Sequence, residues 1–483
     1  MHAFRTLTAA LALALAGGCT MIPLYERPAP PVPDAFPVVD LPPMQTEASD
    51  AAEAAKAGAP SAASTPADAL ARDAYFADAR LRDVIALALE NNRDLRMAAL
   101  NIERARAQYR IRRADLLPAV GATGAEVAQR LPGEFAPSGD AAVSRTYSAT
   151  VGFTAWELDV FGRIRSLKAE ALETYLGTEA ARRSVQISLV AEVAETWLTL
   201  AADRERLAVA QRTFETRQKS FELTRASFEA GAVTALDLRQ AETLMQGARA
   251  DVARYTTRVA QDSNALALVV GAVVPTDLLP EALGDATALA ELPPGLPSEV
   301  LVRRPDIVQA EHALRAANAN IGAARAAFFP RITLTADAGS MSSSLDGLFT
   351  GDSATWSFIP QIRIPIFEAG RLKANLDVAE VQRDIQVAQY ERAIQRAFRE
   401  VADALADRAT LAEELDARRR LLDATQASFS LSEARYRGGI DSYLGLLDAQ
   451  RTLYVAELDL ISIRLADAAN RVALYRVLGG GAQ

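Results

Sequence analysis

The sequence predicts a mainly α-helical, internally duplicated chain with a small membrane-crossing β part. Three observations carry this reading. Residues 163–230 and 371–437 contain no proline and almost no glycine, the composition of uninterrupted helix. Motifs spaced along the first half return in order in the second, the mark of tandem duplication. Each copy also holds two runs whose apolar residues recur at every second position, the period of a strand with one apolar face.

Composition agrees with long helices and narrows the function. Half of the 483 residues are hydrophobic but only 6% are aromatic, so Ala and Leu dominate. The net charge of −9 lacks the phosphate-neutralising surface of a nucleic-acid binder. The single cysteine, Cys19, rules out an intrachain disulfide and a Cys₂ or Cys₄ zinc site. His2 lies in the leader, leaving His312 in the helical stretch AEHALRAANA, where a packing or surface role is expected. No G-x-S-x-G elbow and no phosphate loop before a helix occurs, so no enzyme, cofactor or metal is expected.

The chain opens with Arg5, an apolar run from Leu7 to Ala16, and Leu15-Ala-Gly-Gly-Cys19. That run is too short to span a bilayer and reads as a secretory leader over 1–18. Leu15–Cys19 is similar to a bacterial lipobox, in which the cysteine is acylated and becomes the first mature residue. A plain cleaved signal with a chance cysteine is the alternative. Residues 19–75 are rich in Pro and Ala and are expected to form an extended strap.

The repeat fixes the domain plan. Arg93-Asp94-Leu95 before Leu116-Leu117-Pro118 is answered by Pro305-Asp306-Ile307 before Phe328-Phe329-Pro330. Phe228-Glu-Ala-Gly231 is answered by Tyr436-Arg-Gly-Gly439. The first copy is placed at 76–283, with strands at about 119–131 and 144–158 and a long helix at 163–230. A linker follows at 284–298. The second copy is placed at 299–483, with strands at about 331–340 and 354–367 and a long helix at 371–437. Within the long helices Val193, Leu200, Leu207, Phe214, Phe221 and Phe228 fall seven apart. Val401, Leu415, Leu422, Phe429 and Tyr436 repeat the stripe, with Arg408 interrupting it. A seven-residue period implies helices coiled side by side, which a coiled-coil rod would explain equally well.

The strands separate these readings. Tyr147, Ala149, Val151, Phe153 and Ala155 form one apolar parity; Trp356, Phe358, Ile362, Ile364 and Ile366 form another. Four strands cannot close a lipid-facing barrel, for which about eight is the smallest number, and open sheet edges cannot face hydrocarbon. Three chains sharing strands give a trimeric 12-stranded β-barrel, which a long α-helical barrel of coiled helices continues inward.

The lipobox with MIPLYERP after it, RRPDI at 303–307, AAFFPRI at 326–332, IPIFEAGR at 364–371 and RYRGGIDSYLGLLDAQRTLY at 435–454 together resemble the TolC-like outer-membrane efflux factors. The likeness is to their lipoprotein branch, which includes OprM, CusC and NodT, and covers nearly the whole mature chain. It implies a homotrimer in the outer membrane, anchored by lipid and extending into the periplasm. It also implies docking to a periplasmic adaptor (membrane fusion) protein and an inner-membrane pump of the RND type, with export of drugs or other small molecules. A type I protein-secretion duct and a lipidated coiled-coil scaffold are the alternatives. The resemblance further implies a periplasmic gate at the helix-tip turns, at Gly231, Gly438 and Gly439. Leu444 would form an apolar constriction and Asp448 a ring of carboxylates one turn on. Asp237, Asp441, Tyr436 and Arg437 are further gate candidates, each with capping or solvation as the alternative role.

Overall fold

The computed structural model describes residues 20–37, 75–135, 140–283 and 298–480. Cys19, the strap from 38 to 74 and the linker at 284–297 lie outside them. Seven helices longer than ten residues and four strands are found among the described residues. In chain order they are α1 (Ala79–Asn91), α2 (Arg93–Ala114), β1 (Gly121–Leu131), β2 (Ala142–Leu158), α3 (Arg163–Glu229), α4 (Ala235–Val270), α5 (Pro305–Ala326), β3 (Arg331–Ser342), β4 (Ala354–Arg363), α6 (Arg371–Arg437) and α7 (Tyr443–Val477). The helices α3 and α6 each run 67 residues, about 100 Å at 1.5 Å per residue. The chain divides into two compact units, the first built from 100–179 and 309–391 with the N-terminal segment to Ala29, the second from the remainder.

The first unit holds the sheet. Its order is β1-β2-β3-β4, each neighbour antiparallel, with β1 and β4 at open edges. Register puts Leu158, Trp156, Phe153 and Val151 beside Ile332, Leu334, Ala336 and Ala338 on one face. Ile362, Phe358 and Trp356 of β4 extend that face. Trp356 is 77% exposed, Ile362 63% and Val151 56%, a continuous apolar surface left open by the described residues. The other face carries Thr150, Ser148 and Thr146, then Thr333, Thr335 and Asp337, then Gln361 and Ser357, with Ile359 and Val127 as apolar exceptions.

Two strand expectations are corrected. Ala155 does not continue the apolar parity of β2. The register shifts between Phe153 and Trp156, and Ala155 has φ of 52°. Two residues therefore oppose one on β3, and the bulge hands the apolar face to Trp156. The fourth strand stops at Arg363, not 367, because its last partner is Arg331, directly after Pro330. Ile364 and Ile366 lie past the ladder, and Pro365 could not have donated to it.

The strap over residues 20–29 is pinned in this unit. Asn318 Nδ2 donates to the Pro23 carbonyl at 2.9 Å. Arg27 makes a two-point contact with Glu311 at 3.0 and 2.8 Å, and Arg315 donates to the same carboxylate at 2.7 Å. These guanidinium bonds hold Glu311 below the usual carboxylate range although burial opposes them. His312 is paired with Glu173 at 2.7 Å.

The second unit holds the larger core. Trp197, Leu200, Val193 and Leu198 of α3 pack with Leu81, Val84 and Ile85 of α1, Leu266 of α4 and Val472 of α7. Each fully buried Leu, Ile or Val contributes roughly 1.5–3 kcal/mol. Tyr75 packs on Tyr475 in a tilted pair, 4.7 Å between centroids, and its hydroxyl donates to the Arg471 carbonyl at 2.7 Å. The seven-residue stripe of α3 is completely buried at Val193 and Leu200 and ends with Phe228 at 40% exposed. Arg408, which breaks the matching stripe of α6, donates to buried Asp467 at 2.6 Å. Arg304 of the RRPDI motif is buried, with Asp306, Glu400 and the Val477 carbonyl all within 2.9 Å of its guanidinium.

Candidate functional site

The turns that end α3 and α6 are built alike. At the first, the Gly231 amide donates to Phe228 O at 2.9 Å and Ala232 to Ser227 O at 2.8 Å. At the second, Gly439 donates to Tyr436 O at 3.0 Å and Ile440 to Arg435 O at 2.9 Å. This is the Schellman arrangement, which needs a left-handed residue at its centre. Gly231 and Gly439 supply it with φ of 74° and 71°. Gly438 precedes that position within the second turn.

The next helices begin differently. Thr234 caps α4: its hydroxyl accepts the Asp237 amide, and the Asp237 carboxylate accepts the Thr234 amide at 3.0 Å and hydroxyl at 2.6 Å. These bonds hold Asp237 below the usual carboxylate range, the reciprocal pattern of a capping box. At the second turn Asp441 takes two bonds from Arg435, at 2.6 and 2.8 Å, and is likewise lowered by that guanidinium. Both carboxylates are fixed in the charged form. Arg437 pairs with Glu433 one helical turn back at 2.8 Å. Tyr436 packs on Tyr443 with ring centroids 5.3 Å apart, clasping the end of α6 to the start of α7.

Along α7, Leu446 and Leu447 are buried while Leu444 is 62% exposed. Leu444, Asp448, Arg451 and Val455 share the exposed face at steps of four, three and four. Asp448 accepts a bond from Arg451 at 2.6 Å. Among the sequence-derived residues the structure therefore groups Leu444 with Asp448, and Tyr436, Arg437 and Asp441 with the second turn. Asp237 and Gly231 belong to the first turn.

Three partners were not read from the sequence: Arg451, Arg435 and Tyr454. The Tyr454 hydroxyl donates to Asp251 of α4 at 2.9 Å, and the Arg217 guanidinium of α3 lies 5.3 Å from its ring centre. One aromatic at the end of the 435–454 motif thus ties three helices together. Only its place in the motif signalled it. No cluster of His, Cys, Asp and Glu suited to a metal occurs among the described residues.

A four-stranded sheet with a bare apolar face, joined to helices of 67 residues that end in matched turns, defines an outer-membrane channel protein of the TolC-like class. The chain belongs to the outer membrane efflux protein family, whose model matches residues 84–272 and 296–480, once in each copy. It is 49% identical over 475 residues to the antibiotic efflux pump outer membrane protein ArpC of Pseudomonas putida, covering 98% of this chain and 95% of that one. The toluene efflux pump outer membrane protein TtgC of P. putida matches with the same identity and coverage. The open-state MtrE outer membrane channel of Neisseria gonorrhoeae superposes with a TM-score of 0.79 at 37% identity, covering 96% of this chain and 99% of that one. The family is one of outer-membrane channels, not of enzymes.

Proposed function

We propose that this protein is the passive exit duct of a tripartite efflux system, a homotrimer carrying small molecules across the outer membrane. The single observation that carries the trimer is the open sheet. β1 and β4 are unpaired edges flanking an exposed apolar face, and such edges must be closed before they can meet hydrocarbon. Three copies give a barrel of about twelve strands, inside the known range, whereas two reach only the minimum. The polar face, with its Thr, Ser, Gln and Asp side chains, then lines the water path.

The gate is assigned to the periplasmic turns. Leu444 forms the apolar constriction and Asp448 the charged ring; Asp237, Asp441, Tyr436 and Arg437 hold the turns at Gly231, Gly438 and Gly439. Hydrophobic constrictions gate by excluding water and carboxylate rings favour cations. Cys19 carries the lipid anchor. A periplasmic adaptor and an RND-type inner-membrane pump are the partners, and the substrates are antibiotics and apolar solvents, as the names of the P. putida relatives suggest. The test is the oligomer mass in detergent together with conductance in a planar bilayer. A trimer that conducts is expected, and a stable monomer would refute the shared barrel.

A further inference from the structure

At the base of the sheet the first unit contains a cavity of about 240 Å³ that the gate does not use. Four guanidiniums line it, those of Arg163, Arg331, Arg363 and Arg371. Two of them open the 67-residue helices, α3 at Arg163 and α6 at Arg371. The positive ends of two helix dipoles therefore meet there. Its apolar floor is the stacked pair Phe161 and Phe329, with centroids 4.8 Å apart.

Three carboxylates also line the cavity, and each is already engaged. Glu157 takes two bonds from Arg163, at 2.9 and 2.7 Å, and one from Arg331 at 2.9 Å. Asp159 accepts the amides of Ile164 and Arg165 at 3.0 and 2.9 Å, capping α3. Glu368 binds Arg371 at 2.6 Å. Among the described residues Arg363 forms no ion pair within 4 Å and no side-chain hydrogen bond; it is exposed, and its charge reaches Glu368, which Arg371 already binds. It nevertheless stands directly opposite Arg331 in the β3–β4 register, and like charges facing across a ladder destabilise it. The approach to α6 is strained as well, because Ala369 has φ of 48° immediately before Gly370 at 84°. A left-handed alanine persists only where its surroundings hold it.

We propose that this cavity is a binding site for a small oxyanion, carboxylate or phosphate, with Arg363 as its principal contact. An anion there would give the exposed Arg363 guanidinium a direct partner and offset its opposition to Arg331. The volume is below the 300–1,000 Å³ of drug-sized sites, so it takes an acidic group, not a whole drug. Arg331, Arg363 and Glu157 share the polar face. Given the reading of that face as the duct lining, the anion is a solute in the water path and not a lipid headgroup. The duct thereby gains one station for anions in a chain of net charge −9.

The test is calorimetric titration of inorganic phosphate into the full-length protein in phosphatidylcholine nanodiscs. One saturable phosphate per chain is expected. Arg363→Gln should weaken it about tenfold or more, the loss of one charge-assisted contact. Arg363→Lys keeps the charge but loses the planar fork, so its affinity should fall between the two. Absence of saturable binding in the wild type overturns the proposal, and so does undiminished binding in both variants. In phosphatidylglycerol nanodiscs the phosphate affinity should be unchanged. A loss there would put the site at the lipid boundary and overturn its placement in the duct. Titration does not depend on conduction, so conductance in a planar bilayer tests the duct reading separately.

Discussion

Arg451 donates to the Asp448 carboxylate at 2.6 Å, three residues further along the exposed face of α7. The proposed carboxylate ring is thus accompanied by a ring of guanidiniums, and its field is partly cancelled at the source. Replacing Arg451 with Ala should strengthen cation preference by exposing the carboxylate. Replacing Asp448 with Ala should weaken or reverse it. Reversal potentials across a salt gradient read both, and shifts of the same sign would remove the pair from the conducting path.

The two Schellman turns make a matched prediction. An added Cβ would meet nothing within 4 Å at either Gly231 or Gly439, so the cost of Ala there is purely conformational. At positive φ it should be about 1–2 kcal/mol per turn. If these turns hold the proposed gate, it should loosen, seen as a larger leak conductance in Gly231→Ala and Gly439→Ala. An unaltered leak in both would mean that these turns do not limit opening.

Arg304 joins the RRPDI segment to α6 through Glu400 and to α7 through the Val477 carbonyl. Its side chain is 9% exposed. Truncation to Ala takes the cation from Asp306, leaves Glu400 with Arg396 alone and leaves the buried Val477 carbonyl without its donor, a loss of about 1–3 kcal/mol. The melting temperature of Arg304→Ala should fall well below that of a control such as Arg399→Ala, whose side chain is 77% exposed. Equal melting temperatures would refute the assignment.

Asp262 has its carboxyl pushed up to about 6, first by burial and then by the charge and hydrogen bonding of Asp203, with Arg258 and Arg206 opposing. An unfolded aspartate titrates near 3.9. Between about pH 4 and 6 the folded chain therefore holds a proton that the unfolded chain has released, and stability falls as pH rises through this window. Asp262→Asn mimics the protonated form. It should flatten the pH dependence there and raise the melting temperature at pH 7, while a parallel pH profile would refute the coupling.

The helical architecture was legible because proline is absent and glycine nearly so where α3 and α6 run, and because a duplicated chain states each boundary twice. The second long helix is found at Arg371–Arg437 and the first at Arg163–Glu229. The β2 bulge left only a faint trace in the sequence: Ala155 keeps the parity of Phe153 while adjacent Trp156, with Leu158, starts the other, and the pairing with β3 shows which of them holds the apolar face. The end of β4 was misjudged for a related reason, since Ile364 and Ile366 keep the parity after the partner strand has run out. At the tip, residue types signalled a charged, turn-rich segment. They could not say that Asp237 closes a capping box or that Asp441 is held by Arg435, because such pairings depend on backbone geometry.

The bond from Asn318 to Pro23 has a mechanical meaning for the chain's front end. Only three residues separate Pro23 from Cys19, four Cα steps with a reach of about 14 Å when fully stretched. Acyl chains on Cys19 would be moored within that radius of α5, with almost no slack. Inserting a few glycines after Thr20 would lengthen the mooring line while leaving the berth on Glu311 intact.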